Sequence, residues 1–173
     1  MPRTRVDTSA EIRAVAAELF AQQGVEKTSL REVAEQLGIT KAALYYHFPS
    51  KADLVRGIVQ PLLDDVETLL AESEGSDATR FLTDYFDAVL RHRRVLQLVI
   101  RDVGALAQLG LVEQMLNWRE RIYHVLVSAD ATPAQIAKAT VAIGGLQDCA
   151  LTEGPVEDFR DAALAAAIAA LRS

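Results

Sequence analysis

The sequence is poor in the residues that staple, coordinate or interrupt a chain. A single cysteine, Cys149, among 173 residues excludes an intramolecular disulfide framework and offers no thiol cluster for zinc. The three histidines, His47, His92 and His124, lie far apart without metal-ligand spacing, and no nucleophile motif accompanies them. No catalytic residue, metal site or cofactor is therefore expected. Aromatic residues are 6% of the chain, with five prolines and nine glycines; an apolar set led by alanine and leucine favours helices over strands. No long hydrophobic run is present either. The most apolar stretch, near the C-terminus, is rich in alanine and interrupted by Arg160, Asp161 and Arg172, short of a membrane span. The start, MPRTRVDTSAEIR, contains no apolar core of a secretion signal. These absences predict a soluble, cytoplasmic, all-α protein without a membrane partner and without enzymatic activity.

Charge is scarce in one half only. Residues 1–51 hold seven Lys/Arg against six Asp/Glu, net +1, whereas residues 52–173 hold eleven against eighteen, net -7. An acidic body repels nucleic acid except where a near-neutral head with a basic arm, Arg3 and Arg5, docks.

What is present is helical periodicity throughout. Ile12, Val15, Ala16, Leu19 and Phe20 form one stripe of a first helix, which Asp7, Thr8 or Ser9 can cap and Gly24 can end. Ser29-x-x-Glu32 reads as a capping box for a second helix with inner face Leu30, Val33, Ala34 and Leu37. Gly38 stops it by taking a left-handed backbone. A third short helix follows at once, capped by Thr40 and running Lys41–Tyr46. Ser50-x-x-Asp53 opens a long helix that stays apolar on one face for about 20 residues, with Pro61 inside it predicting a kink near Ile58–Gln60. Further helices are expected at 77–92, 94–107, 111–128, 133–151 and 156–171, the fourth opened by Thr132-Pro133.

Two short helices joined by a glycine turn match a helix-turn-helix, in which the second helix enters the major groove. Its outer face would be Lys41, Ala42, Ala43, Tyr45, Tyr46 and His47, with Leu44 and Phe48 inward. Small Ala42 and Ala43 permit close approach to base edges, and their methyls suit thymine methyls. Lys41 reaches a guanine or a phosphate, while the tyrosine hydroxyls and Lys51 suit phosphates, as do backbone N–H groups at Thr28 and Ser29.

The stretch TSLREVAEQLGITKAALYYHFPSKADL resembles the TetR family signature, T-x-x-x-V/I-A-x-x-x-G-V/I-x-x-x-x-L-Y-x-H-F-x-S/N-K-x-x-L. Thr28 or Ser29, Ala34, Gly38, Ile39, Leu44, Tyr45, His47, Phe48, Lys51 and Leu54 stand in register. The likeness covers roughly residues 8–56. It implies a DNA-binding domain at 1–49 and a helical ligand-binding and dimerisation domain at 50–173. It further implies a homodimer on a near-palindromic operator, released when a small-molecule effector enters the body. On the same resemblance Thr40, Lys41, Ala42 and Ala43 approach bases, while Tyr45, Tyr46, His47 and Lys51 hold phosphates. The competing reading is a DNA-binding regulator with no small-molecule response.

Within the body, Gln97, Arg101, Gln114, Trp118, Tyr123 and Gln147 are polar groups among apolar helices and are candidate pocket lining. Phe81, Tyr85 and Phe86 join them, although these aromatics read equally as core. Arg101-Asp102 also reads as an ion pair or surface charge. In the last segment Leu164, Ala167, Ile168 and Leu171 form a stripe. With Ile136, Ala139, Ile143 and Leu146 it is the candidate four-helix dimer interface; the other reading is an intrachain core.

Overall fold

The computed structural model describes residues 5–73, 77–128 and 130–172. Among them every regular element is helical: α1 (Arg5–Gln23), α2 (Leu30–Leu37), α3 (Lys41–His47), α4 (Lys51–Glu72), α5 (Ala78–Arg91), α6 (Arg93–Arg101), α7 (Val103–Gln108), α8 (Leu111–Leu126), α9 (Pro133–Leu151) and α10 (Arg160–Arg172). A 3-10 turn at Val156–Asp158 precedes α10. The chain divides into two compact units, one of residues up to Pro61 with Arg94–Val112, the other of Leu62–Arg93 with the residues from Glu113 onward. Packing thus parts the chain inside α4, whereas the functional division expected from sequence lies at 49/50.

In the first unit α1 packs on α2 and α2 on α3. Ile12, Ala16 and Phe20 of α1, Leu30 and Val33 of α2, and Leu44 of α3 are buried, which is the apolar period read from sequence. Local chemistry sets each boundary. Ser29 closes a complete capping box with Glu32, its Oγ accepting from the Glu32 N–H while the Glu32 carboxylate accepts from the Ser29 N–H. Gly38 ends α2 with φ +65°, and Thr40 starts α3 by accepting from the Ala43 N–H at 3.1 Å. Ser50 caps α4, its Oγ accepting from the Asp53 N–H.

Three boundaries differ from expectation. Helix α1 begins at Arg5, ahead of the three candidate caps. The single helix expected at 94–107 is two helices, because the backbone turns out of helix at Asp102 (φ -134°, ψ 50°). The last helix starts at Arg160 rather than 156, since Pro155 leads into a 3-10 turn and Phe159 leaves helical geometry (φ -128°).

In the second unit α5, α9 and α10 pack mutually. Their interior holds Leu82, Phe86 and Val89 of α5, Ala139, Ile143 and Leu146 of α9, and Leu164 and Ala167 of α10. Arg160 fixes the start of α10 to α5 by a bidentate pair with Asp87, at 2.7 and 2.9 Å. The second half of α4 is tied by two acids. Asp65 receives Arg91 and His92 of α5, the latter at 2.9 Å, and the His92 hydrogen bond foremost holds its carboxyl below the usual range. Glu67 accepts from Arg121 and from the indole N–H of Trp118 on α8 at 2.8 Å, and Arg121 foremost lowers its pKa.

Five residues expected at a dimer interface, Ala139, Ile143, Leu146, Leu164 and Ala167, therefore lie inside their own chain. The bulkiest stripe of each helix is used first for the intrachain core, the interaction that forms without a partner. Ile168 and Leu171 are half-buried, and Ile136 is exposed. The opposite face of α9 and α10 is the uncovered one: Val141, 64% exposed, Gly145, and alanines 162, 165, 166 and 169.

The caps of α2 give the first prediction. Gly38→Ala places a Cβ in the left-handed region, and Ser29→Ala removes half of a capping box. Each should lower unfolding free energy by about 1 kcal/mol, read as a lower urea midpoint by circular dichroism with an unchanged slope.

Candidate nucleic-acid interface and the polar groups of the body

Helix α3 is seven residues long and too short to hold itself, so it is positioned by what it buries. Leu44 is fully buried and Phe48 nearly so, as read from sequence, which turns the remaining side chains outward. Lys41 and Ala42 are exposed, Ala43 and His47 half-buried, Tyr45 40% exposed and Tyr46 67% exposed. Tyr46 is thus a large aromatic left two-thirds in water beside a well-built core. The face is internally ordered as well. The Lys41 ammonium sits 5.4 Å from the centre of the Tyr45 ring, and His47 meets Tyr46 edge-on at 5.5 Å.

Two expected contact residues are placed differently. Thr28 is only 1% exposed, and its hydroxyl donates to the Gly24 carbonyl at 2.8 Å, so its side chain braces the α1–α2 loop from within. The Lys51 ammonium donates to the carbonyls of Val25 and Glu26 at 3.0 and 3.1 Å, which engages two of its three N–H bonds. Ser29 is exposed at the α2 start, and Thr40 is exposed at the start of α3. Arg3 lies outside the described residues; Arg5 is the first residue of α1, and its side chain lies outside them too.

The loop that Lys51 holds is gripped from another side. The Asp102 carboxylate accepts from the Val25 N–H at 2.8 Å, and the Arg101 guanidinium donates to the Ala21 carbonyl at 2.7 Å. Arg101, a candidate pocket residue, is instead a cation on the carbonyl end of α1, where the helix dipole is negative. The Asp102 bond also accounts for the α6–α7 break. The carboxylate reaches Val25 from a residue that has left helical geometry.

Helix α4 is anchored to the same unit through its backbone. Pro61 has no N–H, so the carbonyl four residues earlier, Gly57, receives no helical hydrogen bond. Arg13 of α1 supplies one, at 3.4 Å. The absence of a side chain at Gly57 is used too, because a Cβ there would stand 2.8 Å from Cε1 of Phe48. Sequence reasoning misses Gly57; its signal is a glycine interrupting an apolar helical face four positions before a proline.

The candidate pocket residues separate. Gln97 and Gln114 are exposed, and Trp118 is buried with its N–H on Glu67. Phe81 and Phe86 are core. Three come together with two residues that the sequence does not single out. The buried Tyr85 hydroxyl accepts from Gln147 at 2.7 Å, and Tyr123 accepts from Thr140 at 3.2 Å and from Arg119 at 2.7 Å. Burial, against the Gln147 hydrogen bond, pushes the Tyr85 phenol from 10.0 up to about 12. Among the described residues no group of histidine, cysteine and acid side chains could hold a metal, and no helix is long and apolar enough to cross a membrane.

A short helix held by a buried face, with an exposed Lys/Tyr face, and joined to the helix before it by a left-handed glycine defines a helix-turn-helix. Residues 12–58 match the model of the bacterial regulatory proteins of the tetR family. The chain is 35% identical over 89 residues to the nucleoid occlusion factor SlmA of Photobacterium profundum, covering 51% of this chain and 41% of that one. It is 28% identical over 155 residues to the transcriptional regulator AcrR of Shigella flexneri, covering 79% and 72%. In three dimensions it is similar to a transcriptional regulator from Aquifex aeolicus VF5, with a TM-score of 0.75 at 20% identity, over 91% of this chain and 96% of that one. Residues 12–58 are thus similar to the N-terminal domain of the tetR family of regulators, and the match to the SlmA relative spans about two-fifths of that protein's length.

These contacts can be tested in two ways. Gly57→Ala should destabilise the protein by about 1–3 kcal/mol through overpacking against Phe48, and Phe48→Leu in the same chain should recover most of it in a double-mutant cycle of thermal melts. The Tyr85 phenol stays neutral in the folded state, so its share of stability is complete below pH 10 and is lost as pH rises through about 12. Ultraviolet titration should show one phenol ionising near that upper value, and Tyr85→Phe should abolish that step.

Proposed function

We propose that the protein is a cytoplasmic homodimeric repressor whose two α3 helices read successive major grooves of a near-palindromic operator, and which a small molecule in the body releases. The observation that carries this reading is the α3 face, with Tyr46 two-thirds exposed over a fully buried Leu44. Ala42 and Ala43 approach base edges, Lys41 reaches a guanine or phosphate, and Tyr45, Tyr46, His47 and the remaining N–H of Lys51 take phosphates. The capped starts of α2 at Ser29 and α3 at Thr40 add backbone N–H groups toward the same phosphates.

Dimerisation is assigned to the uncovered face of α9 and α10. Val141, Gly145 and Ala166 border a shallow apolar groove of about 140 Å³ between the two helices, and small residues there let a second helix pair approach closely. The effector is assigned to the body because Tyr85, Gln147, Tyr123 and Thr140 concentrate polar atoms within an apolar interior, the pattern of a small-molecule site. An effector that binds a state with differently spaced heads more tightly shifts the population off DNA, by no more than its differential affinity.

The deciding experiment selects bound sequences from a random duplex library at a stated salt concentration. An inverted repeat should be recovered. Tyr46→Ala should weaken binding to it by about tenfold or more, and Val141→Glu should convert the dimer to a monomer in sedimentation and abolish the repeat. Recovery of no motif, or a motif unchanged by Tyr46→Ala, removes the reading. With the operator in hand, a compound library screened for release should yield hits whose effect Tyr85→Phe/Gln147→Leu reduces; uniformly unchanged operator affinity with every binding compound would leave a regulator without small-molecule response.

A further inference from the structure

A second concavity lies within the body, away from the Tyr85–Gln147 pair. It is a cavity of about 340 Å³ between the start of α5, the end of α8, the start of α9 and the end of α10. That volume is at the lower end of the ~300–1,000 Å³ typical of small-ligand sites. Part of its wall is aliphatic: Leu82 is fully buried, while Leu126, Val127, Ile168 and Leu171 are left half-covered by their own chain, beside Thr79 and Ser128. Four half-covered aliphatic side chains facing one hollow lack the contacts that the rest of the core has made.

The rim is cationic. Lys138 of α9 is half-buried at this hollow and makes no hydrogen bond or ion pair among the described residues, although it lines a site on a segment carrying net -7. Arg172 of α10 lines the same rim and spends one guanidinium nitrogen on the Thr79 hydroxyl at 3.1 Å, keeping its other donors. Gln135 has its carbonyl oxygen engaged by Thr132, which leaves its amide N–H groups to donate. A single acid, Asp77, is among the lining residues. Two cations against one carboxylate leave room for one negative charge, and a doubly charged phosphate would meet Asp77 and gain nothing from the aliphatic wall.

We propose that this cavity binds a small amphipathic monocarboxylate, its alkyl chain against Leu82, Leu126, Val127, Ile168 and Leu171 and its carboxylate between Lys138 and Arg172. The site is separate from the effector site proposed above and its occupancy is measurable without DNA. Charged donors on the lining of a partly aliphatic hollow discriminate by head group, whereas the aliphatic wall alone would accept any alkyl chain of suitable length.

The test uses the full chain, octanoate as the probe, and 1-octanol and octylamine as isosteric controls, followed by isothermal titration and by chemical-shift changes of labelled backbone amides. Octanoate should bind saturably with a dissociation constant on the order of 1 mM or below, with the shifts centred on residues 78–82, 126–128 and 135–138. Lys138→Gln/Arg172→Gln should weaken it about tenfold while circular dichroism melts stay native-like. Leu126→Ser should weaken it independently of the head group. No saturable binding, equal binding of octanol, or an unchanged constant in the double variant would each overturn the proposal.

Discussion

Where α1 and α3 meet α4, the head uses a vacancy that a helix with proline leaves in its own backbone. Because Pro61 has no N–H, the Gly57 carbonyl is free, and Arg13 reaches it from α1. At the same residue the missing Cβ lets Phe48, the C-cap of α3, come against α4. One turn of α4 thus holds both the first helix and the end of the third. A helix with an N–H at 61 and an ordinary side chain at 57 would offer neither contact.

The loop between α1 and α2 is held in the same fashion, by side chains acting on backbone groups. Lys51 and Arg101 neutralise carbonyls, and Asp102 satisfies an N–H. Such bonds are directional and specify a backbone position to a fraction of an ångström, which apolar packing alone specifies less sharply. Segment 94–112 belongs to the same compact unit as the head. A shift at the α6–α7 break is therefore a shift of the atoms that hold the loop. The second half of α4 carries Asp65 and Glu67, each bonded within the body.

What could be read from sequence follows the range of the interactions involved. The caps at Ser29, Thr40 and Thr132, the glycine stop at 38, the inward Leu44 and Phe48 and the outward Tyr46 are local, set within four or five residues, and the pattern contains them. The division of α6 from α7 was not legible, because its cause is a carboxylate bonding a residue 77 positions away. Nor was the role of Thr28, whose hydroxyl is turned inward by the fold of its own loop. The interface stripe failed for a different reason. Hydrophobic periodicity says which face of α9 or α10 is buried, yet it does not say by whom, and Ile143, Leu146 and Leu164 are covered by their own chain. Tyr85, Tyr123 and Gln147 lay within a broad set of polar candidates, but only the packing of α5, α8 and α9 separated them from Gln97 and Gln114.

The face on α3 offers one lysine, two tyrosines and a histidine, on a head of net charge +1. Few condensed cations would leave a duplex when such a surface lands on it, so attraction to arbitrary sequence is shallow and the thermodynamic gain must come from shape and base-edge fit. On the reading proposed above, selectivity would come from the weakness of the wrong contacts as much as from the strength of the right ones.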